Sequence, residues 1–241
     1  MKADAGQNGT VFGSDPMALL LREMGFPYIA LTPGASFRGL HDSLVNYLGN
    51  KDPQLLLCVH EESAVALAHG YTRVTGKPLP VALHSNVGLM HATMAIFNAW
   101  CDRIPMVLIG AQGPIDAMAR RPWVDWIHTS TDLAALIRGY TKWDNQPGSV
   151  EAALESLVRA HQIAVTAPAG PTYVCLDAAL QEEPLTALPA MPDLQRHSLP
   201  ALADPDSASL KRAADLLKNA KRPLIMMGRV SAKQEDWDRR I

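Results

Sequence analysis

The sequence predicts an α/β fold: a doubly wound, mainly parallel six-stranded sheet with helices on both faces, plus the beginning of a second α/β domain. Three observations carry this. Helix-period segments and short apolar runs alternate five or six times between residues 14 and 180. At least one run, residues 55–59, is apolar without a break, as in strands covered on both faces. Hydrophobic residues make up 48% of the 241 and charged residues 19%, which suffices for a large core.

The elements follow in order. Ser14-Asp15-Pro16 opens a helix that runs to Met24 and stops at Gly25. A strand over 28–31 ends at Thr32-Pro33-Gly34, and a helix over 37–48 follows. The strand at 55–59 leads into a helix from His60-Glu61-Glu62 to Thr75. A strand at 81–84, a helix at 89–100 and a strand at 105–109 come next. Residues 113–127, with Arg120, Arg121, Trp123 and Trp126, read as a loop. A helix over 132–137, a strand over 140–143, a helix from Ser149 to about 165 and a strand over 173–176 complete the domain. Prolines at 184, 189, 192, 200 and 205 mark residues 181–205 as an extended linker. A helix over 209–219 and a buried strand over 223–227, ended by Gly228, then begin something new. The residues that remain are too few to cover that strand. The expected organisation is therefore a flexible N-terminus (1–13), a domain over 14–180, the linker, and the start of a truncated central domain over 206–241.

Composition excludes several roles. The net charge is −2, so neither nucleic acid nor an anionic membrane surface is an expected partner. No run approaches the ~20 apolar residues of a membrane helix, and the polar N-terminus is no signal peptide. Cys58, Cys101 and Cys175 are far apart and odd in number, which suits reduced thiols in a cytoplasmic protein.

In open parallel sheets ligands collect at the carboxyl ends of strands. Those ends here are residues 32–36, 60–62, 84–88 and 110–113, which bring two acids, two imidazoles and the Gln112 amide, among others, to one rim. The dinucleotide and P-loop glycine fingerprints are absent, and no Cys or His pair has zinc spacing, so no metal ligands are expected. An acid in a first helical turn is stabilised by the helix dipole, and that alone accounts for Glu61 and Glu62. The helix they open is apolar nearly all round, however, so the Glu61 carboxylate is expected to be desolvated, with Glu62 turned toward solvent or an ion-pair partner.

The stretch from His60-Glu61-Glu62 to Gly70-Tyr71-Thr72-Arg73 resembles the glutamate helix of thiamine-diphosphate-dependent enzymes. In the acetolactate synthase, benzoylformate decarboxylase and pyruvate decarboxylase group that helix reads Glu, eight residues, then Gly-Tyr-Ala-Arg. Thr72 replaces the Ala. Pro33-Gly34, Asn98-Ala99-Trp100, Pro105, Gly110-Ala111-Gln112 and the segment Ala169-Gly170-Pro171-Thr172-Tyr173-Val174 fit further family segments in the same order. The resemblance spans about residues 15–180 and implies the pyrimidine-binding domain.

The resemblance implies that Glu61 hydrogen-bonds the aminopyrimidine and promotes loss of the thiazolium C2 proton, after which a 2-oxo acid is decarboxylated or joined to an acceptor. Pro33 and Gly34 lie beside the cofactor. His84 resembles a histidine of benzoylformate decarboxylase and is a candidate proton donor or acceptor for the substrate carbonyl; a strand-end histidine bonded to backbone is the other reading. Ala35 stands where benzoylformate decarboxylases carry a serine, with Ser36 adjacent. Gln112 faces substrate or is a structural amide. His41, His69, His91 and His128 read as structural. The family holds the diphosphate through Mg²⁺ at a Gly-Asp-Gly motif that this sequence lacks, which puts that site on another domain. FAD is known in the group, but no motif here indicates it. A homodimer or homotetramer is implied. The alternative is a non-catalytic protein that uses this domain as a dimerisation module.

Overall fold

The computed structural model describes residues 10–200, 203–227 and 234–239. In chain order its elements are β1 (Val11–Phe12), α1 (Ser14–Glu23), β2 (Tyr28–Leu31), α2 (Arg38–Asp42), β3 (Gln54–Leu57), α3 (Glu61–Thr75), β4 (Val81–His84) and α4 (Ser85–Cys101). Then come β5 (Met106–Gln112), α5 (Val124–Ile127), β6 (Asp144–Asn145), α6 (Val150–Val165), β7 (Pro171–Asp177), α7 (Ala178–Glu182), β8 (Pro184–Leu185), α8 (Ser207–Asn219) and α9 (Gln234–Asp238).

Six strands form one sheet in the order β3-β2-β4-β5-β7-β6, every pair parallel. The longest strands, β5 and β7, pair from Met106↔Pro171 to Gln112↔Asp177, and every residue of both is buried. The pleat sends alternate side chains to opposite faces. Ile29, Leu31, Val107, Ile109, Val174 and Leu176 meet α1 and α6 through Met17, Leu20, Leu21, Leu154 and Leu157. Ala30, Val81, Leu83, Leu108, Tyr173 and Cys175 meet α3 and α4 through Val65, Ala68, Leu89, Ala92 and Ile96. The predicted doubly wound sheet is the observed one.

Several elements depart from the sequence reading. Residues 37–48 are not one helix. A 3₁₀ turn (Ala35–Phe37), α2 and a π turn (Ser43–Tyr47) share the stretch. The Ser43 hydroxyl lies 2.7 Å from both Ser14 Oγ and Asp15 Oδ1 of α1, and the turn that carries it is widened. The strand read at 55–59 is the sheet edge, where Leu57 is 70% and Val59 97% exposed. Its continuous apolar run therefore does not mean cover on both faces. In place of a helix at 132–137 and a strand at 140–143 stand two 3₁₀ turns and β6, with Arg138 bonded to both Asp132 and Asp144.

α3 and α4 each bury one stripe rather than their whole circumference. In α3 the stripe is Glu61, Ala64, Val65, Ala68 and Thr72. In α4 the outer stripe Met90, Met94, Phe97 stays 41–59% exposed. Two residues placed in the N-terminal segment, Val11 and Phe12, form β1, which pairs antiparallel with β8 inside the Pro-rich stretch. Asp15 Oδ2 accepts from Phe12 N at 2.8 Å and fastens β1 to α1. The remainder of the expected N-terminal segment, residues 1–9, lies outside the described residues.

Residues 200–241 cluster as a separate unit. α8 is capped by Asp206, which accepts from Ser209 N at 2.7 Å. The strand expected over 223–227 does not form. A strand needs a partner to bond its backbone, and none of the described residues pairs with this segment; Leu224 is 83% and Met226 88% exposed. Gly228, its expected end, lies outside the described residues. No described helix is long and apolar enough to cross a membrane.

Candidate functional site

The strand order dictates where a ligand fits. From β2 the chain goes to β3 on one side, then returns to β4 on the other side of β2. The loops that leave β2 and β4 therefore diverge and open a crevice at the carboxyl ends of the strands. The β2 loop supplies Pro33, Gly34, Ala35 and Ser36, and β4 ends in His84, the residue that also caps α4.

His84 is held from two sides. Its Nδ1 lies 2.9 Å from Ser36 Oγ, and Ser85 N donates to that same oxygen at 3.2 Å. Below it, a Cβ built on Gly34 would come within 2.5 Å of His84 Cβ and Cγ. Only glycine lets the turn approach this closely. Gln181 fixes the turn in place, donating to Ser36 O at 3.0 Å and accepting from Leu40 N at 3.2 Å. Ser36 is buried, while Pro33 and Ala35 are exposed on the rim.

Glu61 begins α3, where the helix dipole favours a carboxylate. It is 8% exposed, whereas Glu62 points to solvent. Gly88 of α4 makes room for it. A Cβ at that position would lie 2.9 Å from Glu61 Oε1 and 3.1 Å from His84 Cβ. The carboxylate and the imidazole thus flank one glycine. Glu61 Oε2 is 3.5 Å from His91 Nδ1.

Gln112 stands back from the rim. It is 1% exposed, and its Oε1 accepts from Ser130 N at 3.1 Å. Its visible work is to anchor the loop that follows β5. That loop is tied down further. Gly113 N donates to His128 O at 3.1 Å, Asn86 Nδ2 donates to Ile127 O at 3.1 Å, and buried Asp125 accepts from Arg121 N and from both its Nε and Nη2. The Arg121 guanidinium holds the Asp125 carboxyl down at about 2.

The anchored loop delivers a residue read from the sequence as structural. The His128 ring lies 4.7 Å from that of His84, tilted by 43°. His128 Nδ1 is 2.8 Å from the Val124 carbonyl, which can only accept, so Nδ1 carries a hydrogen and donates it. Burial pushes the His84 imidazole below its usual value; the nearby His128 pushes the same way and Glu61 opposes both. His84 is consequently neutral at pH 7 and able to accept a proton. No sequence period marks this arrangement; the bonds that order the loop, from Arg121 to the Asp125 carboxylate and from Thr129 Oγ1 to Asp125 O, belong to the folded chain.

The structure therefore brings Gly34, Ser36, His84 and Glu61 together, with Pro33 and Ala35 on the rim beside them. Gln112 is set behind, and His128 is added. A broad cleft lined by Phe12, Asp15, Arg38, Asn46, Tyr47 and Glu182 shares none of these residues.

Comparisons with known proteins follow this geometry. The family described as "Thiamine pyrophosphate enzyme, N-terminal TPP binding domain" matches residues 12–136, just over half of the chain. An acetolactate synthase catalytic subunit, mitochondrial, from Saccharomyces cerevisiae is 28% identical over 202 residues, covering 81% of this chain and 28% of that protein. Benzoylformate decarboxylase of Pseudomonas aeruginosa is 24% identical over 178 residues, covering 74% of this chain and 33% of that one. The chain thus spans about a third or less of the length of these relatives. The crystal structure of benzoylformate decarboxylase from Polynucleobacter necessarius superposes with a TM-score of 0.75 at 22% identity, covering 88% of this chain and 38% of that one; it shares the fold.

Proposed function

Because the chain belongs to the thiamine pyrophosphate enzymes, as their N-terminal TPP-binding domain, we propose that it forms the pyrimidine side of a thiamine diphosphate (thiamine pyrophosphate) site in an enzyme that decarboxylates or joins 2-oxo acids. The observation that carries this reading is the Glu61 carboxylate, buried at the start of α3 in a space that only a glycine at 88 leaves open. A carboxylate held there can meet a basic nitrogen of a flat heteroaromatic ring. When bound, the cofactor supplies a carbon nucleophile and an electron sink for the substrate.

The chain's own residues do the rest. Glu61 holds a proton at a ring nitrogen of the pyrimidine, and burial shields that contact from water. Gly34 and the exposed Pro33 and Ala35 shape the entrance to the crevice. His84, neutral and oriented by Ser36, takes or gives a proton at the substrate carbonyl oxygen. The His128 ring, 4.7 Å from that of His84, is placed to pass that proton on. Gln112 keeps the His128 loop closed over the strand ends. His84 favours decarboxylation, while Ala35 offers no hydroxyl to a substrate carboxylate, so the substrate need not be benzoylformate.

Mg²⁺ and the diphosphate belong, in this reading, to a Gly-Asp-Gly-bearing domain outside these residues, and no motif calls for FAD. The exposed stripe Met90, Met94, Phe97 supports assembly with a second copy, as a dimer or tetramer. The 2-oxo acid is the small-molecule partner. Cys58, Cys101 and Cys175, far apart in the sequence and odd in number, are the ground for proposing a cytoplasmic setting.

The test is C2 proton exchange of bound thiamine diphosphate, followed by NMR on the holoenzyme. Glu61→Gln keeps size and removes the ionisable group, so exchange slows by at least ~10²-fold. Glu62→Gln, whose side chain leaves the helix about 100° away, changes it little. Unchanged exchange in Glu61→Gln would leave the dimerisation module as the better reading.

A further inference from the structure

α3 and α4 bring together three potential metal ligands that sequence spacing does not reveal. His60 precedes α3 in an extended conformation, and its ring stacks on that of His91 of α4, centroids 4.6 Å apart and planes within 3°. Glu61 lies between the two helices with Oε2 3.5 Å from His91 Nδ1. One donor atom from each of His60, Glu61 and His91 lies within 4.8 Å of the other two. Both imidazoles are exposed, so their rings turn at little cost, while the carboxylate is buried.

We propose that His60, Glu61 and His91 bind a divalent transition cation of the Zn²⁺ type. Zn²⁺ bonds of about 2.0–2.1 Å to imidazole nitrogen and carboxylate oxygen set tetrahedral ligands about 3.3–3.5 Å apart. The His91–Glu61 pair already stands at that separation, and a small rotation of His60 closes the third edge. Two imidazoles and one carboxylate suit Zn²⁺ or Co²⁺ and leave a fourth position for water. Mg²⁺ and Ca²⁺ prefer all-oxygen shells and are poorly served.

The consequence rests on the proposed function above. A carboxylate ligating a cation is not available to a pyrimidine nitrogen, so the metal and thiamine diphosphate exclude one another at Glu61. The site is then inhibitory and operates before the cofactor is loaded.

The experiment titrates the 241-residue chain with Co²⁺, read by the visible absorption of a tetrahedral Co²⁺–imidazole complex, with Zn²⁺ as competitor. One equivalent binds. His60→Ala and His91→Ala each weaken binding at least ~10-fold, Glu61→Gln weakens it as well, and His41→Ala does not. Circular dichroism on each variant confirms the fold, and the exposed histidines are replaceable without loss of packing. Binding that survives both His60→Ala and His91→Ala, or the absence of saturable one-site binding, overturns the site. A second arm adds thiamine diphosphate to the Zn²⁺-treated full-length enzyme freed of its cofactor. A histidine-dependent site that does not compete with the cofactor upholds the metal site and counts against Glu61 as the pyrimidine contact.

Discussion

Gly88→Ala separates the stability of this domain from its chemistry. Gly88 lies inside α4, where replacing glycine by alanine removes backbone freedom from the unfolded chain and gains about 0.5–1 kcal/mol. The new Cβ, however, would stand 2.9 Å from Glu61 Oε1, 3.2 Å from Glu61 Cγ and 3.1 Å from His84 Cβ. Ordinary contact begins near 3.4 Å, so the carboxylate must retreat by about half an ångström. The closest clash falls on the far end of the Glu61 side chain, and His84 Cβ has to give by only about 0.3 Å, so the fold yields cheaply while the reacting geometry does not. A misplacement of about 1 Å costs ~10²-fold in rate, and half of that is worth ~10-fold or about 1.4 kcal/mol of barrier. Urea melts should show unchanged or raised stability, and holoenzyme turnover and C2 exchange should both drop ~10-fold. Full activity in Gly88→Ala would mean that Glu61 does not work from the position described. A parallel loss of stability and activity would mean that α4 itself was damaged.

Three further outcomes follow from the same geometry. His84, followed by NMR of its ring protons, titrates below the ordinary 6.5; His128→Gln raises the midpoint, because His128 pushes it down, and Glu61→Gln lowers it further. Arg121→Ala destabilises the fold by about 1–2 kcal/mol at pH 7, reduced by the solvent exposure of Arg121. Because the Asp125 carboxyl is depressed to about 2, its contribution is complete above about 4 and disappears as pH falls through about 2, so the urea-melt difference between wild type and variant closes over that window. Ser36→Ala leaves the buried Ser85 N–H without its acceptor, a loss of about 1–3 kcal/mol in thermal or urea melts, and releases the His84 ring.

The sequence displays best what is local. The Glu61-to-Arg73 pattern lies on one helix, and the crevice residues Gly34, Ser36 and His84 end predicted strands, so each was legible from its own neighbourhood. What required the folded chain was proximity across it. His128 reaches His84 only because Asp125 and Gln112 pin an irregular loop, and no period in that loop announces it. The apolar run ending at Val59 gave no sign that β3 would be an edge, since strand order depends on the crossover and not on composition. The outward stripe of α4 was not legible as exposed, because in sequence a row of Met and Phe looks the same whichever surface covers it. The π turn after α2 arises from Ser43 bonding to α1, an interaction between distant segments.

The seating of His84 on Gly34 constrains how such a domain diverges. With 2.5 Å between a would-be Cβ at 34 and His84 Cβ, no side chain fits at 34 while any residue but glycine occupies 84 on this backbone. The two positions behave as one inherited unit: 84 has to shrink before 34 can grow, and the reverse order passes through a clashing intermediate. A lineage that exchanges this imidazole for glycine is thereby released to remodel the turn after β2, and with it the rim that meets substrate. Changes of substrate range would then begin at 84 and spread to 34 and 35, with the carboxylate at 61 outside that path.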